Sequence, residues 1–279
     1  AAYDVGRFHG YCAGAEEWVR AYARRPFLAG GFIWPGFDYR GESGPFHWPA
    51  VSANFGAMDL CGFPKDSYYY YKAWWTAAPV LHLFPHWNWQ GSEGRAIRVV
   101  CYSNCRSIEL SLNGRSLGVR AMPPLGHLEW EIPYAPGRLE ARGLGGDGQV
   151  VATVCRETSG PPARLCLECP RRMLDADGAD VACVAVSALD SQGRPVPDAG
   201  CGVQFDLAGP GRILGTGNGD PASHEPDKAP CRRLFNGLCL VILQAEAIPG
   251  ALVLTARGEG LMPADMTFTT RAPPPGAIV

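Results

Sequence analysis

Residues 30–42, GGFIWPGFDYRGE, followed at 54–66 by NFGAMDLCGFPKD, decide how this chain is read. A short apolar run stops on Trp34, Pro35 and Gly36, and an aromatic, acidic loop follows. A buried parallel strand has this pattern when it delivers side chains into a polar site at its C-terminal end. Trp34 closes the run. Asp38 and Glu42 lie in the loop that follows, and Asp59 lies in the next motif. These four are the candidate site residues.

The surrounding sequence supplies the frame. Residues 14–25, GAEEWVRAYARR, read as a helix: Glu16 and Glu17 open it, Arg24 and Arg25 close it, and both pairs complement the helix dipole. Trp18 and Tyr22, four apart, share one face. Pro26 ends the helix, and 27–34, FLAGGFIW, reads as a strand. A Pro/Gly-rich loop over 35–65 leads to a second helix at 66–76, DSYYYYKAWWT, with Asp66 or Ser67 as its cap. Aromatic residues on nearly every side of that helix predict packing on more than one face. Helix, strand, long loop and helix are the order of a final β/α unit of a barrel.

Beyond Pro79 the period changes to two. AIRVVCYSN, SIELSLNG, HLEWEIPY, RLEARGLG and QVVATVCRET alternate as half-buried strands, and Asn113-Gly114 marks a tight hairpin. Ser159-Gly160-Pro161-Pro162 reads as a linker. ARLCLECP, DVACVAVSALD, GVQFDLAG, GLCLVILQAE, GALVLTARG and DMTFTT then suit an immunoglobulin-like sandwich. The fold class is therefore mainly β: a terminal β/α unit of a TIM barrel followed by two β-sandwich domains. The expected divisions are 1–78, 79–160 and 161–271, with an extended tail at 272–279.

Composition excludes several classes. The 279 residues are 47% hydrophobic and 19% charged, which is globular. A net charge of −2 gives no basic surface for nucleic acid or an anionic membrane. No apolar run approaches the roughly 20 residues of a membrane helix. The eleven cysteines are odd in number and scattered. Those at Cys101, Cys155, Cys183 and Cys239 fall in strand-like runs and read as buried thiols. Cys166 and Cys169 form a lone CxxC without the second pair that a zinc site needs. No metal or cofactor is called for. Gly217-Asn218-Gly219-Asp220-Pro221 lacks a strand-to-helix setting and reads as a turn, not a phosphate loop.

Three stretches carry a resemblance to a known family: GGFIWPGFDYRGE, FGAMDLCGFPKDSYYYYKAWW and LHLFPHWNWQG at 81–91. The likeness continues through SNCRSIELSLNGRSLG at 103–118 and HLEWEIPYAPGRLEA at 127–141 to GRILGTGNGDP at 211–221. The chain resembles glycoside hydrolase family 2, in its bacterial β-galactosidase branch. The resemblance implies a TIM barrel followed by β-sandwiches. Residues 26–78 would be the last barrel strand and helix, and 1–25 the stretch before them. It implies retention of configuration by two glutamates, at the ends of strands four and seven, both before Ala1. The catalytic carboxyls would then be absent from this chain, and the partner it needs is the remainder of the barrel. The substrate implied is a β-galactoside or related oligosaccharide.

Trp34 matches the Trp that walls the sugar subsite in such enzymes. Gly31 and Pro35 depart from the Glu or Thr common within that motif. His86, Trp87 and Trp89 are read as sealing the seam between barrel and first sandwich, and Tyr68 to Tyr71 as barrel packing. Two other readings stand beside the enzyme: a carbohydrate-binding module at 80–158, and sandwiches serving as spacers. Residues 1–78 separate them, because a strand-eight motif standing alone would expose a large apolar face.

Overall fold

The computed structural model describes residues 14–44 and 46–273; the expected tail at 272–279 and the stretch at 1–25 fall largely outside them. The chain divides into two compact units. One comprises 1–38, 55–59 and 63–158; the other comprises 39–54, 60–62 and 159–279.

In the first unit, helix α1 (Ala15–Ala23) carries Glu16 and Glu17 in its first turn, and Trp18 stacks on Tyr22 with ring centroids 5.6 Å apart. Its last-turn cation is Arg20, while Arg24 caps the C-terminus through its backbone. Helix α2 (Asp66–Trp75) starts one residue earlier than a cap at Asp66 would require and two earlier than one at Ser67: Lys65 is the N-cap, with no side-chain bond. The Asp66 carboxylate is engaged elsewhere, by the Nε2–H of His82 at 2.7 Å.

The strand expected over 27–34 does not form. Among the described residues no other strand lies alongside it, so its backbone groups have no ladder to join. Only the isolated bridge Phe37 to Met58 marks parallel pairing in this region. Phe27, Phe32, Trp34 and Phe37 remain exposed.

The unit's sandwich is built from seven strands: β1 (Leu81–Phe84), β2 (Ala96–Ser103), β3 (Ser107–Leu112), β4 (Arg115–Ala121), β5 (Leu128–Pro133), β6 (Arg138–Leu144) and β7 (Val150–Glu157). They form sheets in the orders β1-β2-β5 and β4-β3-β6-β7. The alternation read from sequence locates five of them; β1 and β4 escape it. The β4 strand is exposed at every residue, so it has no apolar period to detect. Asn113 and Gly114, at φ +52° and +79°, turn the chain between β3 and β4. The β4 strand is an edge, bulged at Leu117-Gly118 where two of its residues face one of β3.

Trp87, Val99, Ile108, Leu110, Trp130, Ile132 and Leu139 fill the core between these sheets. Trp87 is fully buried there and donates to Ala135 O at 2.9 Å. It is thus a sandwich core residue, whereas sequence placed it in a seam with His86 and Trp89. His86 stacks on Trp89 beside it. The helices dock through different groups. Tyr70, Val19, Phe84, Val100 and Tyr102 form a second cluster, and Tyr70 donates its hydroxyl to Leu125 O at 2.8 Å. Tyr69 stacks on His82 at 3.8 Å, almost parallel. His127 bridges Glu16 of α1 and Glu129 of β5. Thus Tyr69 and Tyr70 belong to a helix-on-sheet contact. Trp75, by contrast, stays 60% exposed, so α2 is not packed all round.

In the second unit, strands β8 (Pro162–Glu168), β10 (Val181–Asp190), β12 (Gly211–Gly217) and β14 (Leu238–Ala245) form one sheet, ordered β12-β14-β10-β8. Strands β9 (Met173–Asp175), β11 (Gly202–Ala208), β13 (Cys231–Arg233), β15 (Gly250–Gly258) and β16 (Ala264–Arg271) form the other, ordered β13-β11-β15-β16-β9. The β9–β16 pair is parallel and the rest are antiparallel. The three strands missed by sequence, β9, β12 and β13, are short or glycine-rich. Val184, Val186, Phe205, Val241, Leu243, Leu252, Leu254 and Phe268 fill the space between the sheets.

No disulfide joins the described cysteines. Cys101 and Cys239 are buried as expected, and burial pushes both thiols well above their ordinary range. Cys155 is only half-buried and Cys183 is exposed, because the alternation of β10 turns Cys183 to its outer face. No described helix is long and apolar enough to cross a membrane.

Two charged sites make the fold sensitive to pH in opposite directions. Asp190, buried at the end of β10, accepts N–H bonds from Gly160, Gln192 and Arg194 at 2.8–2.9 Å, and its Oδ2 also accepts from Arg194 Nε at 2.7 Å. Burial alone would raise its pKa, but these donors outweigh it and hold the carboxyl below the usual range. Its contribution is therefore complete above the unfolded value and lost as pH falls below it. Asp190→Ala should cost about 2–4 kcal/mol at neutral pH and flatten the acid limb of stability, read by urea unfolding at stepped pH.

His127 is raised, chiefly by its bond to Glu16, with burial opposing and Glu129 assisting. Its contribution is complete below the ordinary value and lost as pH rises through the elevated one. Amide exchange in α1, corrected for intrinsic rate, should accelerate as pH rises above the ordinary histidine range, and His127→Gln should remove that pH dependence.

Candidate functional site

The acidic loop is organised by Asp38. In the first unit Phe37 bridges Met58, and Asp38 N–H bonds Met58 O at 2.9 Å. This places Asp38 against Gly56, whose N–H donates to Asp38 Oδ1 at 2.8 Å. A Cβ at Gly56 would lie 2.3 Å from Asp38 N and 2.4 Å from Met58 O, so only glycine fits between the two strands of loop. Lys65 Nζ completes the site at 2.7 Å from the same oxygen.

The Asp38 carboxyl is 3% exposed and the Lys65 side chain 18%. Burial raises the Asp38 pKa, while the Lys65 ion pair and the Gly56 N–H work against that rise without cancelling it. Asp38 is therefore a brace with its oxygen turned inward.

Asp59 and Phe63 bond each other twice. Asp59 Oδ1 accepts the Phe63 N–H at 3.0 Å, and the Asp59 N–H donates to Phe63 O at 3.0 Å. Trp34, 74% exposed, precedes this braced segment in the first unit. Glu42 belongs to the second unit and accepts a hydrogen bond from the Tyr39 hydroxyl. It is exposed, and its backbone lies in the left-handed region at φ +35°. The structure thus gathers Asp38 with Gly56 and Lys65. It gives Asp59 and Glu42 separate local partners.

Sequence reasoning missed Lys65 and Gly56. A lone lysine directly after the apolar Gly62-Phe63-Pro64 step was the available signal. Among the described residues, no group of three or more His, Cys, Asp or Glu side chains is placed to hold a metal ion.

Two units of paired β-sheets, the first with two helices docked on its sheet, define a mainly β protein. Residues 165–267 match the glycoside hydrolase family 2 C-terminal domain 5, and residues 94–152 match a domain of unknown function (DUF4982). The chain is 43% identical over 249 residues to the β-galactosidase BoGH2A of Bacteroides ovatus, covering 88% of this chain and 29% of that protein. It is 35% identical over 252 residues to a putative β-glucuronidase of Formosa agariphila, covering 87% and 24%. Among solved structures, a β-glycosidase from Bacteroides vulgatus superimposes with a TM-score of 0.87 at 36% identity, over 92% of this chain and 33% of that one. The chain belongs to glycoside hydrolase family 2, and it spans about a third or less of the length of the curated relatives cited.

Lys65→Met should strand the Asp38 carboxylate and destabilise the first unit by about 2–4 kcal/mol in denaturant unfolding. Adding Asp38→Asn should restore much of that loss. Additive losses in the double variant would show that the pair is not coupled.

Proposed function

We propose that this chain is the C-terminal portion of a retaining glycoside hydrolase acting on terminal β-galactosides. In this reading it supplies the last β/α unit of the catalytic barrel at 1–78, a sandwich at 79–160 and an immunoglobulin-like sandwich at 161–271. The two catalytic glutamates lie in chain preceding Ala1.

The observation that carries this reading is the division of labour inside the GGFIWPGFDYRGE motif. Its indole is exposed, and its acids Asp38 and Glu42 accept hydrogen bonds, as does Asp59 in the motif that follows. Double displacement needs two carboxyls about 5–5.5 Å apart across the glycosidic bond, one ionised and one protonated. Asp38 is held by a lysine and a backbone donor on one oxygen, and Asp59 by the Phe63 N–H. Neither is placed to attack an anomeric carbon.

Trp34 has the role that remains. A flat indole covers the C–H face of a galactose ring while other groups bond the hydroxyls. Asp38 and Asp59 act by shaping the loop around it. A β-galactoside is favoured over a β-glucuronide because the relative of higher identity is named a β-galactosidase.

The test is hydrolysis of chromogenic β-galactoside and β-glucuronide in parallel, by the 279-residue chain and by a version extended upstream. The short chain should be inactive and the extended one active on the galactoside. In the extended enzyme Trp34→Ala should lower kcat/KM by about 10²-fold or more. Turnover by the short chain that is lost on Asp38→Asn or Glu42→Gln would refute the assignment.

A further inference from the structure

The second unit presents another tryptophan in a different way. Trp48 sits on the 39–54 loop and is 79% exposed. A single exposed apolar side chain is ordinary in itself. The support beneath this one is not. Arg232, 2% exposed, lies at the base. Its Nη2 donates to Thr216 O at 2.8 Å, and it also reaches Glu225 O and Pro226 O, both at 3.2 Å. These bonds fix the loop between β12 and β13.

That loop in turn holds 39–54. Arg40 bonds both oxygens of Asp227 at 2.8 Å, and Pro221 O accepts the Val51 N–H at 2.8 Å. Within the 39–54 loop, Gly41 N–H bonds Val51 O and Ala53 N–H bonds Tyr39 O. The last link is His224, whose Nε2 bonds Pro49 O at 2.9 Å. Its ring lies 4.6 Å from the Trp48 indole at an angle of 54°.

We propose that Trp48 and His224 form a sugar-binding platform for a β-linked oligosaccharide. The proposal rests on the reading of this chain as part of a glycoside hydrolase. An indole held outward by hydrogen-bonded backbone on both flanks offers a rigid apolar face, which is what the C–H face of a pyranose packs against. In the tautomer whose Nε2–H donates to Pro49 O, the other ring nitrogen, Nδ1, is an acceptor. An acceptor at the edge of an indole face suits a sugar hydroxyl at the rim of the ring.

The test is calorimetric titration of the full 279-residue chain with β-1,4-linked galactotetraose, with circular dichroism confirming that each variant is folded. Saturable binding is expected. Trp48→Ala should weaken it by about tenfold, Trp48→Phe should retain most of it, and His224→Ala should fall between them. The proposal is overturned if the folded Trp48→Ala or Trp48→Phe/His224→Ala chain binds as tightly as the parent. It is equally overturned if the parent does not bind, or if only Trp34→Ala abolishes binding. Galactoside hydrolysis by the upstream-extended enzyme separates the two readings. Hydrolysis without Trp48-dependent binding removes the platform alone. Trp48-dependent binding without hydrolysis removes the enzyme assignment alone.

Discussion

The first unit depends on one helix-on-sheet contact. Tyr70 of α2 sinks its ring among Val19, Phe84, Val100 and Tyr102 while its hydroxyl reaches Leu125 O. A buried phenol is tolerated because its one donor is paired. Next to it, His82 is pushed down by burial, with Asp66 opposing, so the ring stays neutral and donates to Asp66 under the stacked face of Tyr69. These contacts hold α2 in place, and α2 follows Lys65, so the ion pair that braces Asp38 is only as well positioned as this seam.

Much of the fold was legible because alternation is a local property. Each residue of a half-buried strand reports its own face, so AIRVVCYS, SIELSL and VACVAVSALD could be placed from neighbours alone. The Asn113-Gly114 turn was equally local. The apolar run FLAGGFIW misled for the opposite reason. It has strand composition, but a strand exists only where another backbone accepts its hydrogen bonds, and composition cannot report the neighbour. Cys183 misled in a smaller way: its run is apolar, but one face of β10 points outward.

The site was legible in outline and opaque in its pairings. Aromatic and acidic residues clustered after Trp34 marked the loop. The partners of those acids were set by contacts across long sequence separations, as with Asp38 and Lys65, or by a backbone approach that only Gly56 permits. Arg232 shows the limit most clearly. In sequence it is one of two adjacent arginines, yet it is buried under the β12–β13 loop while Arg233 is exposed. Nothing in the dipeptide distinguishes them; the parity of β13 does.

The exposed edge of the first sandwich has a consequence for life at high concentration. A bare strand edge is a template on which a second molecule can add its own strand, and repeated addition builds fibrils. The β4 strand interrupts that template. Its bulge at Leu117-Gly118 breaks the even spacing of donors and acceptors, and Arg115 and Arg120 place charge at its two ends. Straightening this irregular strand, by deleting one bulge residue, would regularise the ladder and open the sandwich to edge-to-edge polymerisation.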